Sequence, residues 1–473
     1  MERQTCVSAP GKVLITGGYL VLDPRYCGLV LGTSSRFFTN IKTAHKEEVD
    51  NQRIIINLSS PQFQYTTEYH FIIENNQSFR VEFSDNAENK NPNPYIEVTL
   101  LYCLSMISRS LTKMSNMTLN VELVADNDFY SQRKNLEELN LDVSLQSLES
   151  LPKFYSPSTK RDIHKTGLGS SAAMVTSLVA CLLSHFEIIK IQSDSSVDMD
   201  VVHNMAQFCH CLAQGKIGSG FDVSSATFGS QKYKRFSPSL LDDLLTTCTK
   251  TPNKCDDRVV DDLLKLIKHT KWDGSRTPFK LPPYFHLFVA DVDQGSNTPN
   301  MVRNVLKWRS ENPEESLLLW TEIDALNSKV DQCFVAITNY HNDQPELYQE
   351  EILQLSNVGL SENSVLSKEM SQLRSHFLKI RSLLKRMGDL AYKEPIEPDQ
   401  QTDLLDATMN QPCCLIAGVP GAGGFDAIFS ILFGNERQVK SQVSDMWIKY
   451  QGASVCPLVL NESNVGITNS CIK

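Results

Sequence analysis

Residues 165–173 read K-T-G-L-G-S-S-A-A, and the apolar positions Met174, Val175, Leu178, Val179, Leu182 and Leu183 follow at helical spacing. Gly167 and Gly169 permit a tight turn that leaves backbone N–H groups open, and Ser170 or Ser171 is placed to cap the helix that begins there. A glycine turn running into a helix N-terminus attracts anions, because unpaired N–H groups and the helix dipole point the same way. The stretch therefore reads as a phosphate loop, with Gly167, Leu168, Gly169, Ser170, Ser171 and Ala172 as the cradle. It lacks the G-x-x-x-x-G-K-[ST] spacing of a Walker A loop. It does match G-x-G-x-x-A, but the polar residues before it are not the buried strand a dinucleotide fold requires. A Gly-Ser turn capping an ordinary core helix is the plain alternative.

Three further stretches bear on that choice. Residues 8–12 read S-A-P-G-K, residues 215–222 read G-K-I-G-S-G-F-D, and residues 418–426 read G-V-P-G-A-G-G-F-D. Four such stretches in this order resemble the GHMP small-molecule kinases, from Val7 to about Phe429. Within that family the wording is closer to the branch whose acceptor is phosphomevalonate. Ser60-Pro61-Gln62-Phe63 and Pro395-Ile396-Glu397-Pro398 support this.

The resemblance implies an α+β fold in two domains, residues 1–275 carrying the first motifs and 281–473 forming a ferredoxin-like domain with the late glycine loop. It implies ATP and Mg²⁺ as cofactors and a small-molecule acceptor, with transfer of phosphate to phosphomevalonate. Asp222 and Lys12 are the catalytic candidates by that resemblance. The aspartate would orient or deprotonate the attacking oxygen, and the lysine would pair with it or with phosphate. Ser171 is the candidate metal contact. Lys216, Arg36 and Arg303 are candidate cations for the acceptor phosphate, with Ser219 and the loop Gly421, Ala422, Gly423 and Gly424 beside them. Two departures separate the chain from mevalonate kinases: their magnesium-binding glutamate falls here on Cys211, eleven residues before Asp222, and Gly17-Gly18-Tyr19 lacks their acidic-histidine pair. Rival readings are a kinase for mevalonate or homoserine, and a nucleotide or metabolite sensor that has lost turnover.

Composition limits the remaining classes. With 473 residues the chain is long enough for two or three domains, and a formal charge of −10 argues against a general nucleic-acid or anionic-membrane binder. No apolar run reaches about 18 residues, so no transmembrane helix is expected. Thirteen cysteines without a hydrophobic leader read as thiols in a reducing compartment, and cysteine-bound metal is not expected. The ending Cys-Ile-Lys is not the peroxisomal Ser-Lys-Leu, which leaves the cytosol as the default.

Local patterns give strands at 13–15, 19–22, 29–41, 117–125, 285–292 and 413–417, and paired strands across 53–73. Helices are expected at 95–110, 201–213, 313–339 and 364–390, a helical stretch at 240–268, and a return to the sheet at 221–236. Residues 133–160 read as a polar surface excursion, and 273–283 as the domain linker. The stripe His203, Gln207, His210 and Gln214 reads as a solvated helix face, with His210 and Gln214 kept as candidates for supporting the site.

Overall fold

The computed structural model describes residues 3–45, 53–74, 78–85, 87, 89–110, 117–156, 164–191, 196–292, 298–361 and 363–470. Two sheets organise them. The larger has eleven strands, with Gln4–Thr16, Cys27–His45, Met117–Ala125, Arg53–Ser60, Tyr65–Glu74 and Ser78–Phe83 as its consecutive body. Alternating burial along Arg53–Ser60 puts Ile54, Ile56 and Leu58 on the inner face, as a half-buried strand requires. That face is covered by Pro94–Ser110 and Ser170–His185, and Ser196–Gln214 packs against these two helices. The middle helix is apolar on nearly every side, and so it occupies the centre of the layer.

The second sheet has the order Cys414–Gly418, Ala427–Phe433, Phe285–Asp291, Cys456–Pro457, and every described pairing in it is antiparallel. Numbered along the chain this is 2-3-1-4, with helices between the first and second strands and between the third and fourth. That is the split βαβ arrangement of a ferredoxin-like fold. Phe288 and Trp447 stack at 4.6 Å across its core. The whole is α+β.

The chain ends by returning to the first sheet. Thr468–Asn469 pairs with Gln4–Thr16, and Glu462–Ser463 pairs with Cys27–His45. Arg36 explains why this return holds: its guanidinium donates to the Ser8 carbonyl at 2.9 Å and the Gly466 carbonyl at 2.6 Å. Its nearby partners include the hydroxyls of Ser8 and Thr468. Arg36 is therefore committed to a structural clamp and is absent from the cleft described below, contrary to its reading as an acceptor cation.

Several local expectations are corrected. Residues 20–22 form a 3₁₀ turn instead of a strand, because Gly17 and Tyr19 take positive φ (88° and 64°) and break the extended run. Residues 221–228 are a helix, and only Gln231–Lys234 returns to the sheet. The excursion after residue 132 contains the helices Arg133–Glu138 and Leu145–Ser150. Arg133 donates to the Asp291 carbonyl at 2.7 Å and the Ser454 carbonyl at 2.9 Å, joining this segment to the second sheet. Of the presumed linker, Ser275–Pro278 is an edge strand on Gln231–Lys234.

His185 gives the fold a pH dependence. It is buried, its ring nitrogens lie 2.6 Å and 2.9 Å from the Thr43 and Thr5 hydroxyls, and burial, helped by Arg3, lowers its pKa to about 4 from 6.5. Between those values the unfolded chain binds the proton and the folded chain does not, so stability is full above about 6.5 and falls as pH drops toward about 4. The urea midpoint is expected to be lower at pH 5 than at pH 7.5, and less pH-dependent in His185→Asn. A midpoint that rises on acidification contradicts the assignment.

Candidate active site

The first motif works through a bulge. The register of Gln4–Thr16 against Cys27–His45 shifts between Pro10 and Lys12. A side chain at Gly11 would stand 2.8 Å from the Thr33 hydroxyl and 3.2 Å from the Leu168 carbonyl, so glycine is required for the phosphate loop to dock here. The Lys12 N–H donates to the Leu168 carbonyl at 3.0 Å, and its ammonium donates to the Gly167 carbonyl at 2.7 Å. One lysine thus binds the loop through both backbone and side chain.

The loop then enters its helix without a side-chain cap. Gly169, at φ 78°, is the cap residue; neither Ser170 nor Ser171 takes that role, and both already belong to the helix Ser170–His185. An uncapped first turn keeps its N–H donors available to an anion. Leu168 and Ala172 are buried anchors behind the loop, and Ser170 is buried against Tyr130. The Ser171 hydroxyl lies 3.1 Å from His210 Nε2. The Gln214 amide nitrogen lies 3.3 Å from the same ring nitrogen, so that nitrogen accepts and the serine oxygen keeps lone pairs free.

Asp222 enters from the opposite wall. It sits in the first turn of Phe221–Phe228, whose cap is Gly220 at φ 81°. A Cβ on Gly220 would stand 2.8 Å from the Gln207 amide oxygen and 2.9 Å from both the Phe236 ring and the Tyr233 hydroxyl. The turn before it is held from behind: Arg235 donates to the carbonyls of Ile217 at 3.0 Å and Gly218 at 2.6 Å, and Tyr233 to that of Ser219 at 2.8 Å. Asp222 accepts from the Val223 N–H at 2.9 Å. A Cβ placed on Gly169 would be 3.0 Å from Lys12 Cε and 3.8 Å from Asp222 Cβ, so the lysine, the aspartate and the loop meet at one point. The Lys12 ammonium also stands 5.3 Å from the Phe221 ring centroid. Burial lowers the Lys12 pKa, and Asp222 opposes that shift. Burial likewise lowers the His210 pKa, with Lys165 and Lys216 adding and Asp222 opposing.

The late glycine loop closes the third side. Gly423 takes φ 79°, and a Cβ there would be 2.0 Å from the Ile396 carbonyl, which itself accepts from Gly424 N–H at 2.9 Å. The Pro395–Pro398 segment is thus the bed on which the loop lies. It is fixed by the buried ion pair of Arg381 with Glu397 at 2.6 Å. Tyr19 reaches across from the first motif and donates to the Ala422 carbonyl at 2.7 Å.

These walls enclose a cleft of about 280 Å³. Lys12, Gly167, Gly169, Lys216, Ser219, Asp222, Gly421, Ala422 and Gly423 all line it. Gly424 is buried beneath the loop, and Arg303 is exposed on Thr298–Glu311 beside Val302, which does line the cleft. Sequence reasoning missed Tyr19, Phe221 and Asp426 in the lining, although Asp426 ends the quoted G-G-F-D. The helix stripe is corrected: His203, Gln207 and His210 are 8%, 0% and 3% exposed, so it is no solvated face, and Gln207, His210 and Gln214 line the cleft. A wider hollow of about 540 Å³ on the open face of the first sheet, among Asn40, Asn57, Asn120 and Glu122, contains none of the glycine stretches.

Residues 137–230 match the family model for the GHMP kinases N terminal domain. The chain is 35% identical to the peroxisomal phosphomevalonate kinase of Arabidopsis thaliana, covering 97% of this chain and 95% of that one. It is 34% identical to a phosphomevalonate kinase of Gibberella zeae, covering 98% and 96%. Its fold is similar to that of Streptococcus pneumoniae phosphomevalonate kinase in complex with phosphomevalonate and AMPPNP. The TM-score is 0.54 at 14% identity, with 98% of this chain and 100% of that chain covered. Identity of this order over nearly the full length of both chains places this protein in the phosphomevalonate kinase family of the GHMP kinases.

Proposed function

We infer that this protein transfers the γ-phosphoryl group of ATP to (R)-5-phosphomevalonate, giving ADP and 5-diphosphomevalonate. One observation carries the reading: in a chain of this family, Lys12, Asp222 and three glycine stretches converge on a single cleft. An acceptor phosphate oxygen attacks the γ-phosphorus as the bond to the β-phosphate bridging oxygen breaks. The second ionisation of a phosphate monoester lies at about pH 6, so at neutral pH the acceptor is already anionic. Orientation and charge neutralisation, rather than deprotonation, are then what the protein must supply. The uncapped turn after Gly169 would hold the triphosphate, Lys12 would neutralise the transferring group, and Asp222 would fix both the lysine and the acceptor.

Magnesium fits this cleft as an ion carried by the nucleotide. No cluster of three His, Cys, Asp or Glu able to hold a metal exists among the described residues. Mg²⁺ on a triphosphate needs only one or two protein oxygens, and Asp222 with the Ser171 hydroxyl could provide them. When bound, the ion offsets phosphate charge.

Lys216 is proposed as the cation for the acceptor phosphate, since it lines the cleft while Arg36 does not. Lys216→Ala is expected to raise KM for phosphomevalonate about tenfold while changing KM for ATP less, a pattern steady-state kinetics resolves. The reverse pattern contradicts the role. We also propose the division into residues 1–275 and 281–473, with 462–469 paired back across it, and a cytosolic placement. No helix of the described residues is long and apolar enough to cross a membrane.

The reading is tested by ADP release from Mg·ATP with phosphomevalonate, mevalonate and homoserine offered separately. Turnover on phosphomevalonate alone supports it, and turnover on another acceptor replaces the substrate. ATP binding without ADP release from any of the three favours a sensor.

A further inference from the structure

A second hollow lies behind the turn that carries Asp222. It encloses about 360 Å³, more than the cleft itself. Its aromatic lining is Tyr233, Phe236 and Trp272, with the last two rings 4.7 Å apart and Trp272 fixed by its indole N–H donating to the Leu266 carbonyl at 3.3 Å. Lys234, Lys268 and Lys271 also line it. In a chain of net charge −10 that is a local excess of positive charge. None of the three lysines forms an ion pair among the described residues, whereas Arg276 nearby is paired with Asp200 at 2.6 Å. Asp273, near Lys234, is held by the Ser237 N–H and hydroxyl. The wall at Ile267 and Lys268 is a π-helical turn, Lys265–His269, a distortion frequent at functional sites.

His203 lines the same hollow with an unmet requirement. Asn204 donates its amide to the Ile267 carbonyl at 3.2 Å, so its oxygen faces His203 Nδ1 at 2.9 Å and that nitrogen must carry the proton. Nε2 is then a buried acceptor with no hydrogen-bond partner among the described residues.

We propose that this hollow binds a small organic anion with a flat apolar body, and that occupancy changes turnover through the Asp222 turn. The aromatic floor suits the body and the three lysines suit a phosphate or carboxylate. Coupling follows from shared parts. Tyr233 and Phe236 are the groups a Cβ on Gly220 would strike, Tyr233 holds the Ser219 carbonyl, and Ser224 belongs to the same short helix as Asp222. The coupling half rests on the role proposed for Asp222; the binding half does not.

Phenyl phosphate is the probe, with inorganic phosphate and phenol as its separate halves. Trp272 emission reads binding alone, and Trp272→Phe identifies that signal. Phenyl phosphate is expected to change it saturably, with affinity at least about tenfold above either half. Lys268→Glu/Lys271→Glu should weaken binding about tenfold while basal kcat and both KM values stay within about twofold. At saturation kcat should change without competition against either substrate, and Tyr233→Phe should keep the emission change but lose the effect on kcat. No saturable signal from folded protein, or equal binding by the double variant, overturns the site. Binding that leaves kcat unchanged, in an enzyme that turns over phosphomevalonate, overturns the coupling.

Discussion

Asp222→Ala is expected to lower kcat by about 10²- to 10³-fold with little change in the unfolding midpoint, because in the proposed mechanism the side chain orients the reactants. Among the described residues its direct hydrogen bond is local, accepted from the next N–H. What the substitution removes is the carboxylate opposite Lys12 across Gly169, which in the proposed mechanism would orient the lysine, the metal and the acceptor. Asp222→Asn separates orientation from charge. If the acceptor phosphate attacks as an anion, the amide variant loses rate without losing an acidic limb from its pH profile. Loss of that limb would instead identify Asp222 as a general base. Near-wild-type turnover in folded Asp222→Ala would remove the residue from the mechanism.

Lys12→Met should be comparably severe, about 10²- to 10³-fold in kcat, the range for losing a preorganised charge aimed at the developing negative charge. Methionine keeps the apolar stem beside Gly169 and removes the ammonium that faces Phe221 and the Gly167 carbonyl. Burial lowers the lysine pKa, and phosphates beside it would favour its charged form. Binding should therefore be less impaired than turnover. A variant with weakened ATP affinity but unchanged kcat would show that Lys12 serves the ground state only.

Legibility in the sequence followed the type of signal. Glycine stretches were readable because their function is a backbone property: Gly169 and Gly220 each adopt positive φ where a Cβ would crowd a neighbour. Strand alternation in Arg53–Ser60 and the helical spacing of apolar residues in Val365–Leu390 were legible because each is a local periodicity. Contacts between distant segments were not. Arg36 has the charge of a phosphate ligand, and only the return of residues 462–469 shows that its hydrogen bonds are already used. The stripe His203, Gln207, His210 and Gln214 has the composition of a wet surface, but tertiary packing turned it toward the Phe221–Phe228 helix and buried three of the four. The return to the sheet expected at 221–236 begins instead with the helix Phe221–Phe228, enclosed by Gly220 at its start and Gly229 at its end.

The most direct test of the account is quench-flow measurement of a single turnover, enzyme in excess over Mg·ATP, with saturating phosphomevalonate, for wild type and Asp222→Ala. Wild type is expected to form ADP and diphosphomevalonate in equal amounts, and the variant to bind both substrates yet slow this step by about 10²-fold or more. Equal single-turnover rates in the two proteins, or ADP formed without diphosphomevalonate by the wild type, would contradict it.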